Sequence, residues 1–309
     1  MRRRWPALAG LTVLVALLAG VAAGALWRLS APRPAMTEAD AASLEGGNAV
    51  NGRRVFNAAQ CASCHASTGQ TDRLRLGGGY ALESPFGTFR VPNISPHPAD
   101  GIGSWSAVAL ANAILAGISP DGRHYYPVLP YPEYAHMRRE DVRDLIAYLR
   151  TLPPVEGRPA GNELSFPFSI RRAVGLWKAL FLDGRPIADD PTRSVDWNRG
   201  HYLVEAMGHC AECHSGRNLL YAVKANQRFA GGVDPSGTGF VPNITPGRIG
   251  RWSVGEIAEV LSSGRTPELR FVGSTMADVV ANMRELPVED RQAIATFVKE
   301  LPARPTTRP

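Results

Sequence analysis

Cysteine is scarce in this chain. Four cysteines in 309 residues, all in two short clusters, exclude a disulfide framework, which would scatter its bridges along the sequence. Methionine is nearly as rare, at six. Apart from Arg2-Arg3-Arg4 there is no run of Lys and Arg. The formal charge of +6 therefore comes without a recognition surface for nucleic acid, and no nucleic-acid partner is expected. At most it points to an acidic protein partner. Nothing reads as strands alternating with long helices, the setting of a thioredoxin-like exchange motif. Beyond the N-terminus no apolar stretch is long enough to span a bilayer. What is present is a globular composition, 44% hydrophobic and 20% charged, in a length that holds about two domains.

The cysteines fall in Cys61-Ala62-Ser63-Cys64-His65 and Cys210-Ala211-Glu212-Cys213-His214. Cys-x-x-Cys-His is the spacing of c-type haem attachment: two thiols add to the porphyrin, and the next residue sets an imidazole under the iron. One zinc ion held by Cys61, Cys64, Cys210 and Cys213 is the nearest rival. It leaves both histidines unexplained and requires two distant segments to converge. A buried cysteine pair with an incidental histidine explains neither the spacing nor its repetition. The pentads therefore predict two covalently bound c-type haems, with His65 and His214 as iron ligands.

The pentads belong to a longer repeat, displaced by about 149 positions. "GTFRVPNIS" (87–95) matches "GTGFVPNIT" (237–245), "IGSWS" (102–106) matches "IGRWS" (249–253), and "EDVRDLIAYLRTLP" (140–153) matches "EDRQAIATFVKELP" (289–302). Ser253 and Glu256 predict a capping box. Val142, Leu145, Ile146 and Leu149 predict one apolar helical stripe, stopped by Pro153-Pro154. The Gly-, Pro-, Asn- and Ser-rich stretches between helices read as loops without strands. Few helices, long loops and a haem as core filler describe a mainly α protein of two class I cytochrome c domains in tandem, at residues 45–154 and 197–303.

An uncharged stretch from Trp5 to Trp27 follows the three arginines. It is long enough for the roughly 30 Å hydrocarbon core, and the flanking arginines place the remainder outside the cytoplasm. Residues 1–35 are thus expected to be an inner-membrane anchor. The competing reading is a signal peptide cleaved after Ala23-Gly24-Ala25. Both send the haem domains to the periplasm. Residues 155–196 have no counterpart in the repeat and read as a linker. Within it, "SIRRAVGLWKALFLDG" is a basic amphipathic helix, either interfacial or docked on a membrane partner, or packed across the two domains.

The two pentads together with "PNIS…GIGSWS…SPDGRHYYPVLPYPEY" resemble the c-type cytochrome subunits of membrane-bound bacterial alcohol, gluconate and aldehyde dehydrogenases. The resemblance covers nearly the whole chain after the anchor. The best-known alcohol and gluconate subunits carry three haems, so this chain looks more like the shorter dihaem members. The resemblance implies an electron-transfer cytochrome, taking electrons from a periplasmic or membrane-bound dehydrogenase and passing them to quinone, an oxidase or another cytochrome, with membrane lipid around its anchor. No catalytic residue of its own is expected. The alternative is a dihaem enzyme, a peroxidase or thiosulfate-oxidising type, with one open or weakly ligated iron. A haem-bearing sensor or scaffold has no extra domain to support it. For the sixth ligands, Met276 in "STMADVV" resembles the family's Met-Ala-x-Val-Val element, with Met283 as rival, and Met207 stands too close before its pentad. In the first half many relatives have methionine where this chain has Leu129. Met137 in "EYAHM" is the expected ligand, matching a "SYxxM" element, with His136 and His124 as nitrogen alternatives.

Overall fold

The computed structural model describes residues 5–306, so Arg2, Arg3 and Arg4 lie outside the described residues. It begins with α1 (Trp5–Leu29). Within α1, Gly10–Leu29 is long and apolar enough to cross a membrane, and none of that stretch is buried against the rest of the chain.

The first half is built from α2 (Ala49–Ala58), α3 (Cys61–His65), a hairpin of β1 (Ala81–Ser84) and β2 (Gly87–Arg90), α4 (Ala107–Ala116), α5 (Tyr131–Tyr134) and α6 (Arg139–Leu149). β3 (Glu163–Leu164) and α7 (Ala173–Phe181) follow. The second half has α8 (Val195–Tyr202), α9 (Cys210–His214), the pair β4 (Gly232–Val233) and β5 (Phe240–Val241), α10 (Pro246–Ile249), α11 (Val254–Ser263), α12 (Thr275–Met283) and α13 (Val288–Lys299).

The helices start where their sequences say they should. Asn48 accepts from the amides of Val50 and Asn51, Ser106 from Ala109, and Ser194 from Trp197. Ser253 and Glu256 form the expected capping box, a contribution of about 1 kcal/mol. Val142, Leu145, Ile146 and Leu149 all point into the core. α6 ends at Leu149, and a turn covers the residues before Pro153.

Each half is closed by the crossing of its first and last helices over a glycine. A Cβ on Gly52 of α2 would lie 2.0 Å from the Asp144 carbonyl of α6, and one on Gly200 of α8 would lie 1.9 Å from the Ala293 carbonyl of α13. Only glycine permits backbones this close. The repeat thus extends to a pair of residues 148 positions apart, just upstream of each pentad.

The interhelical stretches are not free of strands, contrary to the reading as strandless loops. β1 and β2 pair antiparallel in the register Ala81↔Arg90 to Ser84↔Gly87, and β3 adds to β2 at Gly87↔Leu164. Gly87 has φ +120, and a Cβ there would meet the Glu163 carbonyl at 2.2 Å. The ladder depends on a partner some 75 residues away, which four-residue strands do not announce locally.

The two halves share one hydrophobic core. Asp290 of α13, 1% exposed, accepts from Arg54 of the first half and Arg199 of the second. Tyr202 of α8 donates to Asp141 of α6 at 2.6 Å and accepts from the Arg138 amide. α7 packs across the molecule, the second of the two readings of the linker helix. Trp177 Nε1 donates to the Leu220 carbonyl in the second half. Lys178 Nζ donates to the Ala116 and Gly117 carbonyls at the end of α4, at 2.6 and 2.8 Å, and sits over the Tyr131 ring. A helix C-terminus and a ring face both favour an ammonium. Burial works against it and pushes the Lys178 pKa down to about 7.

Candidate haem centre

Both pentads form short helices entered through a left-handed residue. Gln60 has φ 57 and His209 has φ 39, so the chain turns sharply before each first cysteine. The two turns interlock. Gln60 Nε2 donates to the Gly208 carbonyl at 2.9 Å in a buried contact. Tyr134 donates to the Ala59 carbonyl at 2.6 Å, with its ring edge-on to His209. The two pentad segments are therefore bonded to each other at their N-terminal ends.

The histidines are held alike. His65 Nδ1 lies 2.9 Å from the Pro92 carbonyl and His214 Nδ1 lies 2.7 Å from the Pro242 carbonyl. A carbonyl only accepts, so each Nδ1 carries the proton and donates. This leaves Nε2 unprotonated and free to bind a metal, the orientation that a carbonyl on Nδ1 gives to metal-bound histidines in general. Burial lowers both histidine pKa values, which keeps the imidazoles neutral and able to ligate. These prolines head the Pro-Asn-Ile turns of the repeat. Asn93 and Asn243 then pin each turn to the chain beyond the last helix of its half, through the Val155 and Arg304 carbonyls. The repeated Val-Pro-Asn-Ile was visible in the sequence; that its proline carbonyl orients the histidine was not.

One cavity of about 2460 Å³ runs along both pentads. Ordinary small-molecule pockets occupy roughly 300–1,000 Å³, so this space suits more than one large cofactor. Cys61, Cys64, His65, Cys210, Cys213 and His214 all line it, and so do Met137, Met276, Met283 and Leu129. The cysteines are free of disulfides. Burial pushes their thiols up, to about 12 for Cys61, Cys210 and Cys213 and about 11 for Cys64. Such thiols are poor partners for exchange chemistry. Among the described residues no three His, Cys, Asp or Glu side chains converge as a metal-holding group, which argues against the four-cysteine zinc site. Paired thiols along an apolar wall and an oriented imidazole beside each pair fit a covalently attached haem.

Met137 is 3% exposed, just before α6. Met276 lies half-buried in the first turn of α12, and Met283 is buried at its end. Met207 is buried away from the cavity, and Met36 is locked in the first-half core by two hydrogen bonds with Asn112. The nitrogen alternatives turn elsewhere. His124 Nε2 contacts the Ser30 carbonyl at 2.9 Å, and His136 Nδ1 the Arg185 carbonyl at 2.5 Å; neither ring lines the cavity.

Sequence reasoning missed the charged cluster beside the second pentad. Glu212 pairs with Arg217, and Glu205 with Arg228. Glu133, from α5 of the first half, is buried facing them, and burial together with the charge of Glu212 pushes its carboxyl well above the usual range.

Comparison with known proteins agrees with this construction. A family model for cytochrome c matches residues 49–153. A protein of Cereibacter sphaeroides described as a diheme cytochrome c-type is 45% identical over 295 residues, covering 95% of this chain and 98% of its own length. The fructose dehydrogenase cytochrome subunit of Gluconobacter japonicus is 37% identical over 87% of this chain. The cytochrome c subunit of a quinone-type alcohol dehydrogenase of Gluconobacter oxydans is 34% identical over 82% of this chain. The matched regions span about 55% of each of these two subunits. The chain therefore belongs to the cytochrome c family, with c-type haem bound covalently.

Proposed function

We propose that the chain is a dihaem electron carrier made of two tandem class I cytochrome c domains, residues 45–154 and 197–303, joined by 155–196 and held at the inner membrane by residues 1–35. The observation that carries this is the duplicated histidine clamp: His65 on Pro92 and His214 on Pro242, each beside its own cysteine pair in one cavity.

Bound haem supplies a one-electron couple at the iron. The protein's part is to hold and tune it. Cys61 and Cys64 would carry one haem, and Cys210 and Cys213 the other. His65 and His214 are oriented by their Nδ1–H bonds. Met137 and Met276 would complete the iron coordination, and a thioether opposite histidine raises the potential of a c-type haem. With haem bound, the apolar cavity wall would limit the access of water to the iron and favour simple electron exchange.

The dehydrogenase subunits among its relatives support an electron donor of that kind, in the periplasm or at its membrane, with the respiratory chain as acceptor. The apolar α1 supports an anchor, surrounded by membrane lipid. Equilibrium redox titration of the full-length holoprotein should give two one-electron steps, and the reduced protein should exclude carbon monoxide. Carbon monoxide binding at one haem, with peroxide turnover, would move it to the enzyme class.

A further inference from the structure

The chain does not leave α1 through a loose tether. Ser30, directly after the helix, is 4% exposed. Its carbonyl meets His124 Nε2 at 2.9 Å, and its hydroxyl accepts from Arg172 Nε at 2.8 Å. Arg172 Nη2 also donates to the Trp27 carbonyl at 2.8 Å, with its guanidinium 4.2 Å above the Trp27 ring. A Cβ on Gly175 of α7 would come within 2.2 Å of the Ser30 carbonyl. Six residues on, Met36 is locked to Asn112. The end of α1 is thus built into the globular body.

Immediately before Arg171-Arg172 runs Ser165-Phe166-Pro167-Phe168-Ser169-Ile170. Phe166 at its tip is 81% exposed and faces outward, while Phe168 packs against the Phe86 ring and, with Ile170, borders the cavity. Two turns fold the segment, through Ser169 N to Ser165 O and Ile170 N to Pro167 O. It is tied to the same clamp, because Tyr126 donates to the Phe168 carbonyl and Arg171 lies over the Tyr126 ring. From Arg172 to Phe166 the chain can reach no more than about 20 Å, and the turns shorten that. Arg28 and Arg33, on either side of Ser30, are exposed as well.

We propose that this loop is a second membrane contact, with Phe166 in the interface of an anionic phospholipid bilayer and Arg28 and Arg33 at its phosphates. The proposal rests on the reading of α1 as a retained membrane span. An exposed aromatic tip close to arginines suits the headgroup boundary, and a rigid junction with a span leaves this loop no route away from it. Two attachment points then fix the orientation of both haem sites relative to the membrane, where a flexible stalk would let them tumble.

The test uses the full-length holoprotein in vesicles of phosphatidylethanolamine and phosphatidylglycerol. A photoreactive benzoylphenylalanine is placed singly at positions 166, 18 and 288, and adducts are read by intact mass. Phospholipid adducts are expected at 166 and 18, with several-fold less at 288. Arg172→Ala, which unlocks the clamp, should reduce the adduct at 166 several-fold and leave that at 18. An adduct at 18 with none at 166 overturns the docking and leaves the anchor standing. No adduct at 18 overturns the anchor and the docking with it. Equal labelling at 166 and 288 also overturns the proposal. The haem spectrum of each variant reports that the fold is intact.

Discussion

Asn282 donates from Nδ2 to the Ser63 hydroxyl at 2.6 Å, tying the helix that carries Met276 to the first Cys-x-x-Cys-His pentad. Asn282 is 3% exposed, and a neighbouring ion pair, Arg73 with Asp278, repeats the link. The helix of the second half that carries Met276 is therefore braced by the pentad region of the first. We expect Asn282→Ala to cost about 1–3 kcal/mol, the range for a lost buried hydrogen bond, and to shift the potential of the second haem. Asn282→Gln should recover part of that shift. Lower thermal stability with both potentials unmoved would reduce Asn282 to a packing role.

Met137 and Met276 are distinguishable one at a time. Met137→Leu should lower one potential and open that iron to carbon monoxide, since leucine keeps the packing but cannot ligate. Met276→Ala should do the same at the other haem. His124→Ala and His136→Ala should leave both irons closed, because each ring is engaged with a backbone carbonyl away from the cavity. A potential that moves with His136 and not with Met137 would show a bis-histidine first haem.

Asp290 makes the association of the halves acid-sensitive. Burial alone would raise its pKa, but hydrogen bonds and charge from Arg54 and Arg199 lower it below the usual carboxylate value of 3.8. A depressed folded-state pKa contributes stability that is present above 3.8 and lost as pH falls through the folded value. Thermal melts between pH 6 and 2 should show this loss. Asp290→Asn should flatten it, while costing about 1.5–3 kcal/mol at neutral pH, because two partly exposed arginines lose their shared charged partner.

Gly52→Ala and Gly200→Ala should each be destabilising by about 1–3 kcal/mol, as overpacked contacts are. Both methyl groups would strike backbone. Urea titration of the holoprotein measures the effect, and a neutral result at either site would mean that its helix crossing can open without strain.

Much of this was legible in sequence because it is local. The pentads, the Ser253–Glu256 capping box and the stripe from Val142 to Leu149 each lie within a dozen residues and obey short-range rules. The repeat displacement also exposed the Pro-Asn-Ile turns. What escaped depends on partners far along the chain. β2 finds β3 inside the linker, Lys178 finds the end of α4, and Glu133 faces Glu212 from the other half. The αL turns at Gln60 and His209 were invisible too, since neither residue type advertises positive φ. The clamp on Ser30 needed three segments, 27–30, 124 and 172–175, that no periodicity connects.

The dihaem reading turns on whether both pentads carry haem on one chain. Pyridine haemochrome absorbance of the denatured, acid-acetone-extracted protein, set against its intact mass, measures this directly. Two covalently bound haems per chain are expected, with Cys61→Ser/Cys64→Ser and Cys210→Ser/Cys213→Ser each leaving one. A single haem in the unaltered chain, or iron that extracts with acid-acetone, would contradict that reading.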